Sequence, residues 1–168
     1  MDLDRLTLGE RLVGVGAAVL VATSPLHWLG GRITKITLSS RSIPVNSYHF
    51  THNAWGYTVT GLAVLIGIGL LLYVAVLPLD LPALAHFSPR STARPVATFG
   101  VLTFVLVLLK VAAGANVGLA SFGLPSTSGV AISVSFAKTR QVGAYLGLAA
   151  SAAIAAGGIL NLREASPA

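Results

Sequence analysis

Apolar positions in this chain gather into four long runs, at 12–30, 55–77, 96–115 and 142–162, separated by shorter polar stretches. Each run is close to the ~20 residues that a helix needs to cross the hydrocarbon of a bilayer. None contains Asp or Glu. The pattern predicts a membrane all-α protein, a four-transmembrane-helix bundle in which residues 1–168 form a single domain. The first run differs from a cleavable signal peptide. Asp2, Asp4 and Glu10 spoil a basic leader, and Pro25 stands where cleavage would be expected, so it reads as an uncleaved signal-anchor.

Four crossings put both tails and the loop 78–95 on one side, and loops 31–54 and 116–141 on the other. In the second of these loops Val130, Ile132, Val134 and Phe136 alternate with Ala131, Ser133, Ser135 and Ala137. That is the period of a strand. The first loop has a similar run from Ile33 to Leu38, then Ile43, Val45 and Tyr48 around Pro44, with Ser39, Ser40, Arg41 and Ser42 placed to turn the chain. The expectation is a small extracytoplasmic antiparallel sheet with two strands from loop one and one from loop three. A third strand helps such a sheet persist where a lone hairpin would be marginal.

Composition supports lipid as the solvent. The 168 residues are 54% hydrophobic and 10% charged, with a mean hydropathy of +0.81, whereas a soluble domain is roughly a quarter charged. The net charge of +6 does not suggest nucleic acid, because the basic residues are scattered singly between apolar runs. The absence of cysteine excludes disulfides, thiol catalysis and Cys-ligated metals.

The charges are unevenly divided. All five acids (Asp2, Asp4, Glu10, Asp80 and Glu164) belong to the tail side, where Arg5, Arg11, Arg90, Arg94 and Arg163 balance them. Loops one and three contain no acid and carry Arg32, Lys35, Arg41, Lys138 and Arg140, an expected outer basic surface. Five basic residues on each side leave the positive-inside rule undecided. Arg5 and Arg11, preceding the first run, favour tails in the cytoplasm and a place in the plasma membrane.

Little in the sequence points to chemistry. Small residues recur every four in the last run, at Gly143, Gly147, Ser151 and Ala155, and again at Ala149, Ala153 and Gly157. Such faces let helix backbones approach closely in lipid, within the bundle or against a partner subunit. Lys110 is the only charge inside a run and a functional candidate by default. It lies near the end of its run, where its stem can reach the interface. Trp28 and Trp55 read as headgroup-layer aromatics. His49 and His52 lack the third ligand that a zinc site wants, so no metal is expected. The outer loops hold no carboxylate for a catalytic triad. Gly14-Val-Gly16 continues as Ala17-Ala18-Val19, without the third glycine of a dinucleotide cradle, so no cofactor is expected either.

Arg11 to Leu20 with Leu26-His27-Trp28, Asn53-Ala54-Trp55-Gly56, the run from Thr139 to Ala150, and Ala156 to Leu160 before Arg163-Glu164 together resemble a group of small four-span membrane proteins of actinobacteria. The resemblance implies the four-span topology, with tails inside, and no known activity. The layout also resembles the claudin-type tetraspan plan, in which both loops build an outer sheet, although the cysteine pair of that plan is missing. These readings converge on a non-enzymatic envelope protein, a subunit or scaffold whose partners are membrane lipids and either its own copies or another membrane protein. A small transporter or channel, and a protein that binds or modifies lipid headgroups, are the alternatives.

Overall fold

The computed structural model describes residues 6–38, 41–44, 49–77, 89–114 and 132–165, with the side chains of 33–38, 41–44, 89–91 and 132–136 left aside. Among the described residues there are four α-helices: α1 (Leu8–Thr23), α2 (Thr58–Val76), α3 (Pro89–Ala113) and α4 (Val142–Ala165). Three of them, over Thr58–Val76, Thr92–Ala113 and Val142–Ala165, are long and apolar enough to cross a membrane.

The helix ends have local causes. Thr7 opens α1 with a capping box: its hydroxyl accepts from the Glu10 amide at 3.2 Å, and its own amide donates to the Glu10 carboxylate at 2.9 Å. The helix therefore starts at Leu8, before the apolar run does. It stops at Thr23, with Pro25 two residues on, and the chain is already a strand at Leu29. The run at 12–30 is thus divided between a helix of 16 residues and the start of a sheet. α3 likewise begins at Pro89, ahead of the run at 96–115, and holds Pro95 within it. It closes on Gly114 at φ 73°, the left-handed conformation that glycine adopts without a Cβ penalty, with the Gly114 amide on the Lys110 carbonyl at 2.9 Å.

The helices form a ring in which α1 packs on α2, α2 on α3, α3 on α4 and α4 on α1. α4 makes the two most extensive of these contacts. Thr7 Oγ1 donates to Asn161 Oδ1 at 2.9 Å, so the start of α1 and the end of α4 lie at the same end of the bundle. Tyr73 and Thr92 join α2 to α3 at that end, with hydroxyls 2.9 Å apart.

A small antiparallel sheet stands at the other end. β1 (Leu29–Leu38) is its central strand. β4 (Ile132–Arg140) pairs with one edge of β1 along its whole length, from Leu29↔Arg140 to Leu38↔Ile132, with an irregularity between Ile33 and Lys35. The other edge is shared. β2 (Arg41–Pro44) pairs with residues 35–38, and β3 (His49–His52) with residues 29–32. The first loop thus contributes three strand segments where two were expected. Val130, Ala131, Val45, Tyr48 and the turn residues Ser39 and Ser40 lie outside the described residues.

Candidate functional site

The site is the rim where the sheet meets the helices, and Trp28 is its centre. The Trp28 amide donates to the His52 carbonyl and the Gln141 amide donates to the Trp28 carbonyl, both at 2.9 Å. The side chain is fully buried, and Nε1 donates to the Thr23 carbonyl at 2.9 Å. Its ring lies on α4. A Cβ at Gly143 would fall 2.6 Å from Trp28 Cδ1, and one at Gly147 would meet Cη2 and Cζ2 more closely still. Trp28 is thus not exposed at the rim: the two glycines make a slot, and the indole fills it. Trp55 is about half exposed, and its Nε1 donates to Ser24 Oγ at 3.1 Å.

Further along α4 the small residues meet helices on two sides. Gly157 approaches α1, where a Cβ would lie 2.6 Å from the Gly9 carbonyl oxygen. Gly16 of α1 approaches the Ala150 carbonyl in the same way, at 2.8 Å. Ser151 and Ala155 are buried, and the Ser151 hydroxyl is returned to the Leu148 carbonyl at 2.9 Å. On the α3 side a Cβ at Gly100 would lie 3.3 Å from Ala155 Cα, and one at Gly158 would lie 2.8 Å from Ala97 Cα. Gly143, Gly147, Ser151 and Ala155 thus all point into the chain itself. Ala149 is exposed.

The cations divide between the sheet and the end of α3. Lys138 Nζ donates to the Ala113 carbonyl at 2.9 Å. Arg140 donates to the Val111 carbonyl through Nε at 2.9 Å and to Ala112 through Nη2 at 3.3 Å. Two side chains of β4 therefore cover three successive carbonyls of the last turn of α3. These are the groups a helix leaves unpaired, carrying the negative end of its dipole. Lys110 belongs to the same turn but is buried, at 9% exposure. Its ammonium lies 3.8 Å from the centroid of the Tyr57 ring, a cation–π contact instead of a simple reach to the interface. The His52 ring stands edge-on to Tyr57 at 5.4 Å, and Phe50 is 5.9 Å beyond it. Arg32 is exposed on β1 opposite His49 and Ala137. Lys35 and Arg41 are placed on β1 and β2 by their backbones only.

Sequence reasoning passed over the capping role of Lys138 and Arg140. Nothing local to α3 said which distant cations would reach its end. Among the described residues no group of three or more His, Asp or Glu side chains is placed to hold a metal ion. No protein-family model and no curated protein matches this chain.

Proposed function

We propose that this is a non-enzymatic integral membrane protein of the cell envelope, a subunit or scaffold that presents its basic sheet to a partner in a membrane-protein assembly. In this reading the chain crosses the plasma membrane four times, with its tails in the cytoplasm and the sheet outside. α1 is the fourth crossing. At ~1.5 Å per residue its helix alone is shorter than the ~30 Å of hydrocarbon. Leu8, Val15 and Val19 are nevertheless turned outward, as are Leu62, Leu65, Leu72, Phe99 and Leu109 on the longer helices. An apolar exterior on every side of the ring suits lipid and would be a liability in water.

The observation that carries the scaffold reading is the coupling of sheet to bundle. Only Gln141 separates β4 from α4, and its amide is held by Trp28. The sheet is thus a rigid platform. A transporter is less well supported, because no Asp or Glu lies in any of the four apolar runs and the buried hydroxyls of Thr23, Thr60, Thr103 and Ser151 already donate to backbone carbonyls.

The test is affinity purification of the full chain in mild detergent, with identification of the proteins that follow it. A partner should be retained by the parent and lost from Arg32→Glu. If the same proteins follow the parent and the variant, the sheet is not the docking surface.

A further inference from the structure

We propose that the end of α3, where Lys138 and Arg140 sit on its last carbonyls, binds the phosphate of an anionic membrane lipid. The acyl chains of that lipid would lie along the exposed apolar side chains of α3 and α4. This inference stands apart from the scaffold reading and does not need a protein partner.

The first argument is charge. Lys110, Lys138 and Arg140 converge on one helical turn. The end of a helix supplies roughly half a negative charge against them. The chain cannot supply more locally, since its acids are Asp2, Asp4, Glu10, Asp80 and Glu164, and none falls in 31–54 or 116–141. Glu10 and Glu164 belong to the start of α1 and the end of α4, at the opposite end of the bundle. Among the described residues no acid stands near these cations, which leaves them open to an anion from outside the molecule.

The second argument is donor geometry. An ammonium has three donors and a guanidinium five. One donor of Lys138 and two of Arg140 hold the α3 carbonyls. These bonds hold both heads on successive carbonyls of the rim, and among the described residues the other donors are left for an acceptor rich in oxygen. A phosphate monoanion or diester fits that requirement.

The third argument is depth. The apolar span of α3 ends at Ala113, and that of α4 begins at Val142. In a bilayer crossed by these helices the paired cations would lie where hydrocarbon gives way to headgroups. Within a turn of them Leu108 and Leu109 are exposed on α3, and Val142 and Tyr145 on α4. A free phosphate would use the cations only. A phospholipid would use both features, so the lipid is the occupant the surface favours.

The probes are phosphatidylglycerol and phosphatidylcholine added to the delipidated full chain, with bound lipid counted by native mass spectrometry. The parent should keep phosphatidylglycerol in preference to phosphatidylcholine. Each basic side chain near an anionic headgroup is worth roughly fivefold in affinity. Lys138→Gln and Arg140→Gln should each reduce the preference by about that factor, whereas Arg140→Lys should retain most of it. Arg163→Gln, at the other end of the bundle, should leave it unchanged. Circular dichroism checks each fold, and Lys138→Gln carries the test if Arg140→Gln unfolds. Equal retention of the two lipids by the parent overturns the proposal, as does an equal loss from Arg163→Gln and Lys138→Gln. Displacement of phosphatidylglycerol by millimolar inorganic phosphate would assign the site to free phosphate and overturn it as a lipid site.

Discussion

The indole of Trp28 occupies the volume that a side chain at Gly147 would need. The ring is rigid, fully buried and fixed at Nε1 by the Thr23 carbonyl, so it cannot swing aside. Gly147→Ala should lower stability by about 1–3 kcal/mol, the usual cost of overpacking. Trp28→Ala should cost more, about 3–5 kcal/mol, because it leaves a cavity. Trp28→Phe removes the part of the ring nearest Gly147, so the pair Trp28→Phe with Gly147→Ala should be more stable than the sum of the single effects. Thermal unfolding in detergent gives the double-mutant cycle, and additive values would show that the two residues do not meet.

Three glycines in helices sort by what surrounds them. A Cβ at Gly69 meets nothing within 4 Å, whereas Gly100 and Gly158 face the backbones of α4 and α3. Gly69→Ala should be neutral or stabilising by up to about 1 kcal/mol, through helix propensity. Gly100→Ala and Gly158→Ala should destabilise by about 1–3 kcal/mol, because backbone cannot give way as a side-chain tip can. Melting temperatures of the three variants in one detergent decide it, and equal shifts would contradict the packing of α3 on α4.

Lys110 and Tyr57 should be separable by substitution. The Tyr57 hydroxyl is buried without a hydrogen-bond partner. Tyr57→Phe keeps the ring under the ammonium and removes a desolvated group, so it should be neutral or gain about 1 kcal/mol. Tyr57→Leu removes the ring and should lose about 0.5–2 kcal/mol. Lys110→Arg and Lys110→Gln should both insert and express. A variant Tyr57→Phe as unstable as Tyr57→Leu would mean that the hydroxyl, not the ring, matters.

Proline placed along β4 should show a parity. Consecutive amides of a strand point alternately toward and away from a given neighbour. Among the described residues β4 pairs with β1 alone. Of Val134→Pro and Ser135→Pro, one should remove a ladder hydrogen bond and loosen the sheet, and the other should be tolerated. Hydrogen exchange over 132–140 distinguishes them. Identical behaviour would argue against the β1–β4 register.

The chain has no cysteine, so introduced cysteines report topology without background. In intact cells, Ser42→Cys in β2 should react with a membrane-impermeant thiol reagent. A cysteine at Ser166 should react only after permeabilisation. Reaction of Ser166→Cys in intact cells would invert the orientation proposed here.

The sequence by itself determined that the chain is mostly helical and suited to lipid. Apolar runs near twenty residues leave a helix few alternatives, because in hydrocarbon the backbone must satisfy its own hydrogen bonds. It also determined where the acids are missing, and therefore that the charge at one end would be unbalanced. Hydropathy alone did not place the helix ends, although local signals for them stand in the sequence. Thr7-Leu-Gly-Glu10 spells a capping box, Gly114 a helix end and Pro25 a break. Of these only Pro25 lies in the stretch at 12–30, between the helix and the strand into which that stretch divides and which hydropathy alone joined.

Only the tertiary structure decided which partner each small or charged residue meets. The spacing of Gly143 and Gly147 required something close, and a helix backbone and an indole satisfy that requirement equally well. Trp28 was placed there by the turn after α1 and by the backbone hydrogen bonds that align β1 with β3 and α4. Ile66 could be taken as lipid-facing from its run, yet it is half-buried against the core, while its neighbour Leu65 faces out. Lys138 and Arg140 read as free surface cations until β4 was laid beside α3. Contacts of this kind join residues about 25 to 120 positions apart, and they depend on how helices rotate about their axes and where a strand stops. Neither rotation nor register is encoded in a local pattern. Both are set when α4 closes the ring against α1 and α3.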